Sequence, residues 1–203
     1  GERIDAIRFA PAWHALLGLM RSQGLQALPF ADPRAGAWAA RTAGYFMQAQ
    51  IESGTLCPAT MTFASIPVLQ KETALFADLG PRLYAREHDA RDLPWRQKTA
   101  ILVGMGMTEK QGGSDVRSNT TVATPLRGEG RGATYAITGH KWFFSAPMCD
   151  AHLVVARMGA ADWRWFRYPF LSEGAADPGR RARIRKLLAG RGYKVATVTM
   201  DFS

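Results

Sequence analysis

Met105-Gly-Met-Thr-Glu-Lys-Gln-Gly-Gly-Ser114 is the stretch on which the reading of the fold turns. An apolar run, Ala100 to Val103, leads into it, and Ala100–Met107 reads as a strand. The strand breaks at Thr108, two charges and the pair Gly112-Gly113, followed by Ser114 and Asp115. A strand that ends in a Gly-rich turn presents backbone N–H groups suited to a phosphate or to the polar edge of a heterocycle. On turn chemistry alone, a plain hairpin turn serves equally well.

Before this stretch the chain reads as helical. Pro11 suits a first turn, and Trp13, Leu16, Leu17, Met20 and Leu25 form an apolar stripe over residues 11–25, closed by Gly24 and the Pro29–Pro33 region. A second helix is expected over Ala35–Glu52, with Gly54 as its stop. Thr55-Leu56-Cys57-Pro58 reads as a turn, and an apolar helix follows through Met61, Ala64 and Leu69, which Pro67 should kink or divide. Shorter helical pieces are expected at Glu72–Leu79 and Leu83–Glu87, with a loop at Asp89–Pro94. The aromatic and methionine side chains of this half are expected in the core.

After the turn the texture is β-rich. Thr120–Thr124, Tyr135–Thr138 and Leu153–Arg157 read as short strands, Leu126–Gly132 as a flexible connection, and Trp142–Ser145 as an aromatic segment. Short strands with turns between them predict an antiparallel sheet or small barrel. Helices first and strands second is an α+β order.

Composition narrows the class. The chain of 203 residues is 47% hydrophobic, enough for one ordinary domain or two small ones. No apolar run approaches the ~20 residues a membrane span needs, and no leader is evident, so no membrane partner and a cytoplasmic location are expected. Gly1 is not expected to be the natural start. Cys57 and Cys149 are expected as buried thiols rather than a disulfide. The net charge of +9 raises a nucleic-acid-binding module as an alternative. More than half of the excess falls after residue 158, chiefly in Arg180, Arg181, Arg183, Arg185 and Lys186, a run that reads as a solvated helix face or an anion site.

Thr108-Glu109-Lys110-Gln111-Gly112-Gly113-Ser114-Asp115, followed by Gly139-His140-Lys141-Trp142-Phe143-Phe144-Ser145, forms a two-part signature. It resembles the acyl-CoA dehydrogenase superfamily, and its wording is similar to the AidB branch, as is Leu56-Cys57-Pro58 with Met61-Thr62. The resemblance covers about residues 1–158. It implies an N-terminal helical domain over 1–100 and a partial antiparallel β domain over 101–158. It implies FAD as cofactor, contacted by Met105, Met107, Thr108, Gly113, Ser114, Trp142, Phe143, Phe144 and Ser145. Residues Met105–Thr108 would run along the isoalloxazine, the Thr108 hydroxyl would meet its polar edge, and Ser114 would meet the pyrophosphate. Trp142 would lie against the flavin and Ser145 would reach its N5 and ribityl region. Milder readings stay open: Trp142 as sheet core, Asp115 as a turn residue, Glu109 and Lys110 as a solvated pair.

The implied activity is oxidation of an acyl-CoA-like substrate, with hydride passing to the flavin while a carboxylate removes the α-proton. In the family that carboxylate lies in a C-terminal helical bundle, which also serves homo-oligomer contacts and, in the AidB branch, DNA binding. These 203 residues contain no such bundle, so the chain reads as truncated, with no catalytic base assigned, weak or no flavin retention, and no turnover.

From residue 159 a different resemblance enters. Arg167-Tyr168-Pro169-Phe170, a basic helix at Arg180–Ala189, then Gly192-Tyr193 and the strand Val195–Met200 are similar to an internal fragment of a NodB-type polysaccharide deacetylase. A heterologous tail over 159–203 is therefore expected, with a metal-dependent deacetylase fragment as an alternative function. His14, His88, His140 and His152 have no metal-ligand spacing, so no metal is expected.

Overall fold

The computed structural model describes residues 7–111, 113, 115–158, 165–166, 182–183, 186 and 194–195. Helix α1, Pro11–Ser22, starts on a proline whose missing N–H is one that no helix start can pair. It ends in a Schellman turn: Gly24 takes φ +70°, its N–H meets Arg21 O at 2.8 Å, and Leu25 N–H returns to Met20 O at 3.2 Å. Leu25 therefore extends the apolar stripe without being helical, which is why the sequence places the helix end three residues late.

A short α2, Leu28–Ala31, and then α3, Ala37–Ile51, follow. Helix α4 spans Leu56–Leu69 and α5 spans Thr73–Tyr84. Three expectations are corrected here. The predicted turn at Thr55–Pro58 is the first turn of α4, where Pro58 removes no ladder bond. Pro67 does not divide α4: it sits in the last turn, where one ladder bond is lost, while Ile66 and Leu69 on either side of it are buried. The pieces at 72–79 and 83–87 are one helix running through Pro81, anchored by buried Leu79 and Leu83.

Strand β1, Val103–Gly106, is shorter than the apolar run that feeds it. Successive residues of that run face opposite ways, as extended chain must. Ile101 and Val103 join Ile66, Leu69, Leu79 and Leu83 in one core cluster, while Leu102 joins Leu17, Met20, Leu25 and Ala59 in another. Helix α4 feeds both clusters. It is also tied to β1 by Val103 N–H donating to Thr62 Oγ1 at 3.0 Å.

The remaining strands are β2 (Val122–Arg127), β3 (Thr134–Thr138), β4 (Ala151–Val154), β5 (Arg157–Met158), β6 (Trp165–Phe166) and β7 (Lys194–Val195). Three pairings are parallel, which departs from the antiparallel expectation. They are β1 with β4 from Val103↔Ala151 to Gly106↔Val154, β2 with β5, and β6 with β7. The partners in each pair are separated by long connections, which parallel strands require. Strand β3 lies beside β2 across Gly128–Ala133, a connection short enough only for an antiparallel hairpin. Trp142–Ser145 is a loop rather than a strand.

The chain forms two compact units, Gly1–Thr121 with Ile137–Ala156, and Val122–Ala136 with Arg157–Ser203. The tail features expected at Arg167–Phe170, Arg180–Ala189 and Val195–Met200 lie outside the described residues, except at Ala182, Arg183, Lys186 and Val195. Among the described residues no helix is long and apolar enough to cross a membrane.

Two further expectations change. Both cysteines are free, but only Cys149 is buried, and burial pushes its thiol pKa up to about 12; Cys57 is exposed. Several apolar side chains of α3 are exposed, namely Trp38, Phe46, Met47 and Ile51, whereas Ala37 and Gln48 are its buried residues.

Candidate flavin turn

The two halves of the signature meet in space. The Trp142 N–H donates to the Thr108 carbonyl at 2.9 Å, pinning the aromatic loop to the turn that follows β1. Two close approaches make this fit. A Cβ on Gly106 would collide with the Phe144 ring, and one on Gly104 with the His152 ring; these two rings stack at 4.5 Å over β1. A Cβ on Gly139 would run into the backbone and side chain of Thr121. The Gly-Met-Gly and Gly-His-Lys portions of the sequence are thus steric requirements of this junction.

Glu109 is the anchor. It is 2% exposed. Its Oε2 accepts from Thr120 N at 2.6 Å, Thr120 Oγ1 at 2.9 Å and Gln111 Nε2 at 3.1 Å. Its Oε1 accepts from Thr121 N at 2.8 Å, Thr121 Oγ1 at 2.6 Å and Lys141 Nζ at 3.2 Å. Burial pushes its pKa up, but the donors on Thr120, Thr121 and Gln111 outweigh burial and hold the carboxyl well below the usual carboxylate range. The reading of Glu109 with Lys110 as a solvated pair is corrected: its ionic partner is Lys141, itself nearly buried. Buried Asn119 adds a second tie, donating from Nδ2 to Met107 O at 2.8 Å.

Outside this polar frame the surface is apolar and exposed. Met107 is 40% exposed, Trp142 43% and Phe143 80%, with Trp142 and Phe143 edge to face at 6.1 Å. Phe143 holds φ +51°, a left-handed conformation that costs a non-glycine residue about 1 kcal/mol or more. Thr108 is half-buried and Ser145 exposed, and neither hydroxyl makes a hydrogen bond to any described residue. Met105 lies half-buried in β1, Gly113 is beside the Thr108 side chain, and Phe144 is turned to His152. Gly112 and Ser114 lie outside the described residues.

An exposed aromatic and thioether surface flanked by two uncommitted hydroxyls fits a flat heterocycle with an apolar face and a polar edge. The residues that sequence reasoning missed are those holding the frame: Lys141, Thr120, Thr121 and Asn119. The available signal was the lysine within Gly139-His140-Lys141, whose partner lies 32 residues upstream. Among the described residues no group of three or more His, Cys, Asp or Glu could hold a metal ion.

Comparison with known proteins places this arrangement. The adaptive response protein AidB N-terminal domain matches residues 1–90, and the acyl-CoA dehydrogenase middle domain matches residues 104–201. The second match continues beyond residue 158 through the stretch for which a deacetylase-like tail is expected. The chain is 44% identical over 193 residues to the putative acyl-CoA dehydrogenase AidB of Escherichia coli strain K12, covering 94% of this chain and 35% of that protein. It is 28% identical over 171 residues to acyl-CoA dehydrogenase family member 11 of Caenorhabditis elegans, covering 80% of this chain and 25% of that one. Among solved structures, the apo form of Bd2924 superposes with a TM-score of 0.65 at 30% identity, over 80% of this chain and 31% of that one. Caenorhabditis elegans ACDH-11 in complex with C11-CoA gives 0.65 at 26% identity, over 78% and 26%. The chain spans about a third or less of the length of the curated relatives it matches. Over that span, its sequence and its fold make it an AidB-like member of the acyl-CoA dehydrogenase family.

Proposed function

We propose that the turn after β1 and the loop Trp142–Ser145 together bind the isoalloxazine end of FAD, as part of an acyl-CoA dehydrogenase-type oxidoreductase. The observation that carries this reading is the bond from Trp142 N–H to Thr108 O, which joins the two halves of the signature into one surface. FAD would supply there the acceptor for a hydride drawn from the substrate. The chain's own residues bind and orient. Met107, Trp142 and Phe143 offer apolar contact and exclude water from the ring. The Thr108 and Ser145 hydroxyls hydrogen-bond its polar edge, where electron density builds on reduction. Ser114, which lies outside the described residues, would meet the pyrophosphate.

Glu109 is not the base that removes a substrate proton. Its two oxygens are committed to six donors, and its low pKa makes it a poor proton acceptor. No catalytic base is assigned to this chain, and weak flavin retention and no turnover are expected of it alone. The substrate class is an acyl-CoA thioester, a reading supported by the complex of ACDH-11 with C11-CoA.

The test is a titration of FAD into the purified 203-residue chain, followed by flavin fluorescence and the visible spectrum. Substoichiometric flavin as purified, with saturable binding of added FAD, is expected. Stoichiometric flavin as purified contradicts the weak retention; no saturable binding contradicts the cofactor assignment.

A further inference from the structure

A second site, sharing no residue with the flavin turn, lies at the start of α1. A cavity of about 570 Å³ opens between this end of the helix, the loop 88–92, the run 98–102 and residues 147–150. That volume falls in the range of small-molecule sites. One wall is aromatic: Phe9 and Trp13 stack at 5.1 Å, with His14 edge-on to Phe9. Another wall carries positive charge.

Arg21 lines the cavity and is 1% exposed. Its Nη1 donates to Ile101 O, and its Nη2 to Arg82 O and Ala85 O, each at 2.9 Å. Three carbonyls satisfy those N–H groups but cancel no charge, and Nε has no partner at all. Two of the carboxylates at the same cavity, Asp150 and Asp89, are engaged. Asp150 Oδ1 lies 2.7 Å from Lys98 Nζ, with Oδ2 accepting from Leu102 N. Asp89 is held by both Arg91 and Thr99. A buried guanidinium whose counter-charge, Asp150, is shared with Lys98 is costly.

The histidines add a donor. His14 Nδ1 and His88 Nε2 are 3.1 Å apart, so one donates to the other. In a neutral pair, whichever ring donates, the partner ring's outer nitrogen must carry the second N–H. Neither outer nitrogen bonds to a described residue. Burial, helped by the positive fields of Arg21 and Lys98, lowers the His88 pKa to about 4, so His88 is neutral at pH 7 while the wall around it is positive.

We propose that this cavity is a binding site for a small, flat organic carboxylate, its charge compensating Arg21, one oxygen taking the outer N–H of the His14–His88 pair, and its body lying against Phe9 and Trp13. The probe is sodium benzoate, titrated into the 203-residue chain at pH 7.5 and constant ionic strength, with the His14 and His88 imidazole NMR resonances as readout. The expected result is a saturable one-site shift of both resonances, matched by no saturable response to sodium phosphate or sodium chloride. Arg21→Gln should weaken benzoate by about tenfold or more. Should that variant not fold, Trp13→Ala takes its place with the same expectation, because it removes the stacking wall and leaves the three carbonyl ties intact. A linear or absent response to benzoate, an equal response to phosphate, or undiminished binding in the folded variant overturns the proposal.

Discussion

Glu109 and Phe143 stand in opposite halves of one signature and have exchanged the places their chemistry would give them. The carboxylate is 2% exposed and the phenyl ring 80%. The charge is inside because six donors, a lysine among them, meet it there; the ring is outside on a backbone conformation that disfavours it. The contrast separates two kinds of residue within a single motif. Glu109, Lys141, Thr120 and Thr121 fix the shape of the turn, and Met107, Trp142, Phe143 and Ser145 are left for whatever covers it.

The comparison breaks most severely at Glu109. Replacing Glu109 with Ala strands the nearly buried Lys141 and the buried Thr121 N–H, and is expected to cost about 3 kcal/mol of unfolding free energy, measured by urea denaturation. A loss within 0.5 kcal/mol would mean that the frame is not structural.

Acid should dismantle the molecule in two stages. His88 has a folded pKa of about 4, below its unfolded value near 6.5, so its contribution is present above about pH 6.5 and is lost as pH falls toward 4. Glu109, depressed well below its unfolded value, contributes fully above about pH 5 and loses that contribution at lower pH. Melting temperature against pH should therefore fall in an upper limb removed by His88→Gln and a lower limb, shared by Glu109 and the similarly depressed Asp89, that Glu109→Gln reduces. A flat profile between pH 7 and 4 would contradict the first assignment.

On the exposed side the effects move to the ligand. Trp142→Ala should weaken FAD by about tenfold, roughly 1.4 kcal/mol, with the urea midpoint nearly unchanged. Phe143→Gly sharpens the point further. Glycine accepts the left-handed conformation, so stability should hold or rise by up to about 1 kcal/mol while FAD affinity falls. A variant that loses stability instead would place Phe143 among the framing residues.

The strand and its turn were legible in the sequence because turn chemistry is local, and the pairing of the two motif halves was legible only through the family resemblance; the close approaches at Gly104, Gly106 and Gly139 are made to residues far along the chain. Helix existence was legible from periodicity, but the ends were not. Leu25 kept the apolar stripe going one turn past a Schellman cap, and Pro67 and Pro81 looked like breaks that core packing tolerates. Glu109 looked like half of a surface pair because its neighbour is Lys110, whereas five of its six donors lie 11 to 32 residues away. The parallel pairing of β1 with β4 was invisible for the same reason, being a long-range contact with no local signature. The exposed apolar residues of α3 carried the composition of a core without being in one.

The central claim is that the surface outside the Glu109 frame is a flavin surface, and a titration of FAD into the wild-type chain and the Trp142→Ala and Glu109→Gln variants tests it most directly. The account predicts saturable quenching of flavin fluorescence in the wild type, about tenfold weaker in Trp142→Ala, and reduced in Glu109→Gln only in step with the fraction of folded protein. Equal affinity in the wild type and Trp142→Ala, or no saturation in a folded wild type, would contradict it.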